Sequence, residues 1–145
     1  QLFAQQLKGA GYRGDFVAAD GSFDASNFKF PGAYLTYFGA DVNKVAVAKP
    51  YLAAFTKQYG QTLGFGPPGF TVMEVLAVAI SNSCKDGKTS RAEVRRLLPK
   101  VKLTNSILGL PIAFDNDGDL FRGPKSGVTL FQIQSDGSYK QIAKS

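Results

Sequence analysis

The stretch Phe16-Val-Ala-Ala-Asp-Gly-Ser22 decides how the whole chain is interpreted. An apolar run that suits a buried strand ends in the carboxylate of Asp20, and Gly21 follows at once. In open α/β sheets, ligands bind just beyond the carboxyl ends of strands, so an acid at this place is a candidate ligand contact. A strand-end acid can also simply cap the turn that follows it. Both interpretations of Asp20 stay open on this stretch alone.

Helical and strand patterns alternate on both sides of this strand. Leu2, Phe3 and Leu7 share one face of a first helix, which Gly9-Ala-Gly11 ends. The further predicted elements are a strand over 33–38, a helix over 45–59, a loop over 60–69, a helix over 70–81, a helix opened by the capping box Ser90-Arg-Ala-Glu93, a strand over 107–114 and a hairpin over 128–143. This order predicts an α/β chain with a C-terminal β-hairpin.

The apolar residues of two of these helices predict how the helices pack. Tyr51, Leu52, Phe55 and Tyr59 share one side at helical spacing, which is most simply a core stripe. The helix over 70–81 is apolar nearly all round, so we expect it to be buried. Glu74 within it then needs a partner or an edge that faces solvent.

The net charge of +6 does not by itself indicate a nucleic-acid partner. The basic residues are scattered, and Arg95, Arg96 and Lys100 lie near a helix with an apolar face, so they are best interpreted as a solvated face. No RNA-binding aromatic signature is present. No apolar run approaches the roughly 20 residues that a membrane span needs.

The residue types absent from the chain limit its chemistry. There is no histidine, which removes the usual general base and the histidine-dependent triads. The single cysteine, Cys84, excludes an intrachain disulfide framework. Asp115-Asn-Asp-Gly-Asp119 resembles a calcium loop, but its glycine is fourth and position twelve is Ser126, so we expect a tight turn and no bound metal. A non-catalytic protein is favoured, and a hydrolase ranks behind it because no nucleophile elbow is present.

The first residues, Gln1-Leu-Phe-Ala-Gln-Gln-Leu-Lys8, suggest a helix already under way. No N-cap residue and no initiator Met precede the apolar face. A trimmed chain would look the same, but we expect the C-terminal piece of a longer protein.

Several stretches, in this order and over nearly the whole chain, resemble one family. They are Ala19-Asp-Gly-Ser22, Gly32-Ala-Tyr-Leu-Thr-Tyr-Phe38, the helix from Pro50 to Gly60, the helix from Val72 to Ile80, Leu108-Gly-Leu-Pro-Ile-Ala-Phe-Asp-Asn-Asp-Gly-Asp119 and the Val128–Ile142 hairpin. The chain resembles the C-terminal portion of a type I periplasmic solute-binding protein of the branched-chain amino-acid-binding kind. Between Gly21 and Gly32 its connection is shorter than that family's usual one.

The resemblance implies part of a two-lobed, doubly wound, Rossmann-like fold. Residues 1–33 would end the second lobe, residues 34–126 would form a crossover strand and return to the first lobe, and residues 127–145 would close the second lobe with the hairpin. The early strands of the first lobe, which hold a ligand carboxylate, would lie on a missing N-terminal portion of the same protein.

The resemblance also implies a site and partners. Asp20 matches the acid that pairs with a ligand α-ammonium, and Phe65 lies near the aromatic that touches the ligand side chain. Phe70 is a weaker candidate, and core packing is the alternative for both rings. The implied function is capture of an amino acid or similar small polar solute, without a cofactor, for the membrane permease of an ABC transporter in the periplasm. A ligand-sensing domain of a receptor or regulator with the same fold is the alternative.

Overall fold

The computed structural model describes residues 1–60, 64–87, 89–120 and 128–144. The chain divides into two compact units: Gln1–Ala40 together with Gly127–Ser145, and Asp41–Ser126. Among the described residues, none of the helices combines the length and the apolar character that crossing a bilayer requires.

The first unit is a helix and a mixed sheet. Its helix, α1, spans Leu2–Gly9, and its strands in chain order are β1 (Val17–Ala18), β2 (Tyr34–Tyr37), β3 (Thr129–Ile133) and β4 (Tyr139–Lys144). The strands lie side by side in the order β1-β2-β3-β4. β1 runs parallel to β2, whereas the β2–β3 and β3–β4 pairs are antiparallel. The strand after the first helix and the C-terminal hairpin are therefore confirmed. The expected burial of that strand is wrong, because β1 lies at the edge of the sheet and Val17 is exposed over 61% of its surface.

Strict alternation along β2 and β3 builds the core of the first unit. Leu35 and Tyr37 point to the buried face, and Phe131 and Ile133 do the same on β3, where Phe131 lies opposite Leu35. Phe23 covers this face, because its ring stacks on Tyr37 with the ring centres 4.1 Å apart. Side chains alternate between the faces of a strand, so one register places all four strand residues in the same core.

Among the described residues of the second unit, the α-helices are α2 (Lys49–Tyr59), α3 (Gly66–Ser83) and α4 (Arg91–Leu97). The Ser90 hydroxyl accepts a 3.1 Å hydrogen bond from the Glu93 backbone N–H, so the predicted start of α4 is confirmed. The helix predicted over 45–59 begins only at Lys49, with Pro50 in its first turn, because Val45 is still extended. The predicted loop over 60–69 is wrong in its last residues. α3 begins at Gly66, since a proline in the first turn needs no hydrogen-bonded N–H.

The core of the second unit corrects two further predictions. Only one face of α3 is buried: Val75 and Ala79 pack with Leu108, Leu110 and Ile112. The predicted strand over 107–114 is wrong, although its side chains are buried, because Gly109 has a φ of +72° and its N–H closes a turn onto Ser106. Isolated bridges remain, Leu103 with Ile112 and Phe114 with Leu120.

The aromatic stripe of α2 is also more open than expected. Tyr51, Leu52 and Phe55 are partly buried, whereas Tyr59 is exposed over 67% of its surface. The three rings contact one another along the helix at tilted angles, Tyr51 with Phe55 and Phe55 with Tyr59. The stripe is therefore a row of contacting rings at the surface of the unit, and the core position predicted for Tyr59 is wrong.

Candidate functional site

Asp20 lies directly beyond the carboxyl end of β1, as its sequence position predicted. The Phe16 carbonyl accepts a 2.8 Å hydrogen bond from the Tyr34 N–H, and Val17 and Ala18 then pair with β2. Ala19 is still extended, and Asp20–Ser22 turn into one short 3₁₀ helix. The extended backbone therefore ends immediately before Asp20, whose side chain is partly buried.

The Asp20 carboxylate is uncommitted, in contrast to the next acid of the chain. Asp24 accepts hydrogen bonds from the Ser26 N–H at 2.9 Å and from the Asn27 side-chain amide at 2.6 Å. The Ser26 hydroxyl, which also donates to it, holds the pKa of Asp24 below its usual value. Within the part of the chain that the structure describes, the Asp20 carboxylate has no hydrogen-bond or ion-pair partner. Of the two acids after β1, Asp20 is the one available to a ligand.

The loop that follows Asp20 is held by a residue that the sequence analysis did not single out. Tyr139 on β4 donates a 2.7 Å hydrogen bond to the Phe28 carbonyl, and its hydroxyl lies 3.5 Å from the Ser22 carbonyl. Its ring meets Phe23 edge to face, with the ring centres 5.1 Å apart. A tyrosine at an inward position of the predicted hairpin was the available signal. Tyr139 thus fixes both ends of the segment after Asp20.

Phe65 and Phe70 lie at the N-terminal end of α3, in the second unit. Phe65 precedes the helix, its carbonyl accepts the Gly69 N–H at 3.1 Å, and 58% of its surface is exposed. Phe70 is 39% exposed, and its ring centre lies 4.8 Å from that of Tyr51. Phe65 is thus the more exposed of the two rings, whereas Phe70 packs on Tyr51 of α2. Asp20 belongs to the first unit.

The acidic stretch from Asp115 to Asp119 forms a tight turn. The Asp115 carboxylate accepts the N–H groups of Asp117 and Asp119, each at 3.0 Å, and Gly118 has a φ of +88°. One oxygen of the Asp115 carboxylate, Oδ1, therefore closes the turn by binding two backbone N–H groups. Over the described ranges, no group of three or more metal-ligating side chains comes together.

An open groove lies in each unit among the described residues. The first-unit groove, of about 510 Å³, has the ionisable residues Lys8, Arg13 and Asp15 at its exposed wall. The second-unit groove, of about 430 Å³, is lined by short side chains such as Thr104 and Ser106. Asp20, Phe65 and Phe70 line neither groove.

Comparison with known proteins shows which fold this architecture belongs to. Neither a protein-family model nor a curated protein matches the sequence. Solved structures do match. A leucine-binding protein, LivK, from Thermotoga maritima superposes with a TM-score of 0.78 over 99% of this chain, at 21% sequence identity. An ABC transporter substrate-binding protein from Desulfitobacterium hafniense, in complex with Leu, superposes with a TM-score of 0.69 over 97% of this chain, at 18% identity.

These matches also show how much of the fold the chain supplies. It covers 40% of the Thermotoga protein and 39% of the Desulfitobacterium protein. A second structure of a Desulfitobacterium hafniense substrate-binding protein is covered to the same 39%, with a TM-score of 0.68 and 20% identity. The chain therefore has the α/β fold of type I periplasmic solute-binding proteins, the family its sequence resembles, and spans about two fifths of their length.

Proposed function

We propose that this chain is part of a solute-binding protein that captures an amino acid, or a similar small polar molecule, and delivers it unchanged to the permease of an ABC transporter. The observation that carries the proposal is the uncommitted carboxylate of Asp20 at the carboxyl end of β1. The fold is that of solved proteins whose names record leucine as the bound molecule. No part of the proposal requires chemistry on the solute.

Asp20 is suited to an α-ammonium group. A carboxylate accepts two or three charge-assisted hydrogen bonds, which are about twice as strong as neutral ones. Asp24 and Tyr139 support this role by holding the segment after Asp20 in place. Asp24 closes the turn by accepting the Ser26 N–H, and Tyr139 on β4 donates to the Phe28 carbonyl. We assign the ammonium contact to Asp20 and the apolar contact to Phe65, with Phe70 behind it.

The same proposal assigns the residues of this chain to two lobes. Residues 1–33 and 127–145 belong to the second lobe, and residues 34–126 cross over and return to the first lobe. The groups that hold a ligand carboxylate come from an N-terminal portion outside these residues. The complete protein then works in the periplasm, where solute meets the transporter.

The test measures amino-acid binding by the complete gene product. A thermal-shift screen of the twenty amino acids comes first, since a ligand at 100 times its Kd adds about 2.7 kcal/mol of stability. Calorimetric titration of the best ligand then compares wild type with Asp20→Asn. Asp15→Asn is the matched control, because Asp15 is an exposed acid just before β1.

We expect Asp20→Asn to weaken binding by about 2–5 kcal/mol, because it leaves a buried ammonium unpaired. Asp15→Asn should bind as wild type does. Unchanged affinity in Asp20→Asn would remove Asp20 from the site, and no shift with any amino acid would overturn the ligand class. Uptake of the labelled ligand by cells, lost on gene deletion, would separate a transport component from a sensor with the same cleft.

A further inference from the structure

Four aspartates of the chain are followed directly by a glycine: Asp20, Asp86, Asp117 and Asp136. An aspartate carries its carboxyl group within reach of the next backbone nitrogen. Glycine adds no side chain that would hinder an attack by that nitrogen. The pair can therefore close into a succinimide, a cyclic imide that opens again to aspartate or to isoaspartate. In a folded protein, this reaction depends on whether the glycine nitrogen is free to move.

The glycine nitrogen is held in three of the four pairs. In each of them, the glycine N–H donates a hydrogen bond to the carbonyl of the residue three positions earlier and closes a tight turn. The bonds are Gly87 to Cys84 at 3.0 Å, Gly118 to Asp115 at 3.2 Å and Gly137 to Gln134 at 2.9 Å. All three glycines have a positive φ. The turn must open before such a nitrogen can attack, and local opening costs free energy.

The pair Asp20–Gly21 differs from the other three at both reacting groups. Within the described part of the chain, the Gly21 N–H makes no hydrogen bond, and the Asp20 carboxylate has no partner. Gly21 is exposed and does not have the positive φ of the other glycines. By contrast, the Asp136 carboxylate accepts the Ser138 N–H at 2.8 Å. The nucleophile and the electrophile are therefore both free only in the pair that follows β1, as far as the described residues go.

We propose that Asp20 is a site of spontaneous isoaspartate formation in the folded protein, and the fastest of the four. The Gly21 nitrogen forms a bond to Cγ of Asp20, and the carboxyl hydroxyl leaves with the N–H proton as one molecule of water. Solvent water then opens the succinimide. Attack at Cγ restores aspartate, whereas attack at the main-chain carbonyl carbon leaves the chain running through Cγ as isoaspartate. The overall change is an isomerisation that needs only water.

Isoaspartate would change the end of β1. Its carboxylate is attached directly to Cα, and the main chain becomes longer by one methylene group. The carboxylate therefore leaves the position that Asp20 gives it, and the protein loses affinity for an amino acid as it ages. This loss rests on the proposed function, whereas the isomerisation itself does not.

The test is the isoaspartate content of the complete gene product after ageing without amino acids at pH 7.4 and 37 °C. Digestion with chymotrypsin places each Asp-Gly pair in a separate peptide, and electron-transfer fragmentation then distinguishes isoaspartate from aspartate at each position. Gly21→Ala is aged beside wild type, because a Cβ at position 21 meets nothing within 4 Å. A third sample is aged in guanidinium chloride.

We expect the folded protein to form more isoaspartate at Asp20 than at the other three positions together. Gly21→Ala should lower the amount at Asp20 to their level. In guanidinium chloride the four positions should react at similar rates, because no turn then holds a glycine nitrogen.

Equal rates at the four positions of the folded protein would overturn the proposal. The same excess at Asp20 in guanidinium chloride would also overturn it, because the local sequence and not the fold would then be the cause. These two comparisons still decide if Gly21→Ala does not fold. Amino-acid affinity is measured separately on fresh protein, so failure of either proposal leaves the other standing.

Discussion

The phenol of Tyr139 donates a hydrogen bond of 2.7 Å to the carbonyl oxygen of Phe28, a residue 111 positions earlier in the chain. The bond joins the C-terminal hairpin to the segment that follows Asp20. Phe28 is itself buried in the core of the first unit, so water cannot easily replace the donor. Hairpin and candidate site are therefore parts of one packed structure.

Tyr139→Phe should lower the free energy of unfolding by about 1–3 kcal/mol, because the Phe28 carbonyl is left buried without its donor. Urea unfolding followed by circular dichroism measures the change. Tyr12→Phe is the matched control, since its hydroxyl makes a 3.2 Å bond to the Asp15 carbonyl at an exposed place. Equal losses in the two variants would mean that the buried Tyr139 bond stabilises the fold no more than the exposed Tyr12 bond does.

The same tyrosine predicts a loss of stability in alkali. Burial raises the pKa of Tyr139 from its ordinary value of 10.0 to about 12. A raised pKa in the folded state means that the unfolded chain loses its proton first. The contribution of Tyr139 to stability is thus complete below pH 10.0 and is lost as the pH rises towards about 12.

Urea unfolding at pH 9, 10, 11 and 12 tests this dependence by comparing wild type with Tyr139→Phe. Lysines also titrate in this range, so the difference between the two proteins is the informative quantity. It should shrink steadily above pH 10. A difference that stays constant to pH 12 would show that Tyr139 ionises as easily in the folded protein as in the unfolded chain.

Glu74→Gln should stabilise the isolated chain at pH 7. Burial raises the pKa of Glu74, and in the described part of the chain its Oε2 atom is buried without a hydrogen-bond partner. The contribution of this group is therefore most favourable below the unfolded pKa, near 4.5, and is lost as the pH rises through the folded value. The gain should be about 1 kcal/mol or less, because the side chain is only partly buried.

Glu93→Gln provides the control for Glu74→Gln. Glu93 makes an ion pair with Arg96 on the exposed side of α4, so neutralising it should bring no gain. Urea unfolding at pH 4, 5.5 and 7 gives the comparison. If wild type and Glu74→Gln show the same pH dependence, the Glu74 carboxylate is solvated in the folded chain.

Local patterns predicted the first unit because local physics determines it. Leu35 and Tyr37 alternate with exposed neighbours, and this alternation fixes the register with Phe131. The strand predicted over 107–114 failed because its apolar residues fill a core while Gly109 and Pro111 prevent a ladder. The helix over 70–81 was expected to be buried all round, but only one face of α3 packs in the core of the second unit, because composition does not specify which face of a helix meets a neighbour.

The candidate site also has one part that the local sequence predicts and another part that it does not. The position of Asp20 at a strand end could be predicted from seven residues, since strand and turn are both local. That Asp24 is the acid bound by its own loop depends on Ser26 and Asn27 and on the geometry of that turn. The anchoring by Tyr139 depends on a contact across most of the chain, which no local pattern contains.

Phe65 and Phe70 can be separated by comparing stability with binding. Phe70→Ala removes the ring contact with Tyr51, and aromatic pairs of this kind contribute about 0.5–1.5 kcal/mol beyond the area they bury. Phe65 is the more exposed ring, so Phe65→Ala should change the free energy of unfolding by no more than about 0.5 kcal/mol. Urea unfolding of the isolated chain measures both.

Amino-acid titration of the complete protein then assigns the roles. If Phe65 covers the ligand side chain, Phe65→Ala weakens binding by more than it lowers the free energy of unfolding, because the ligand loses apolar contact. Phe65→Leu should restore most of that affinity, since it keeps an apolar group of comparable reach. Full affinity in Phe65→Ala would exclude the ring from the site. A loss confined to Phe70→Ala would move the apolar contact to the ring that α2 supports.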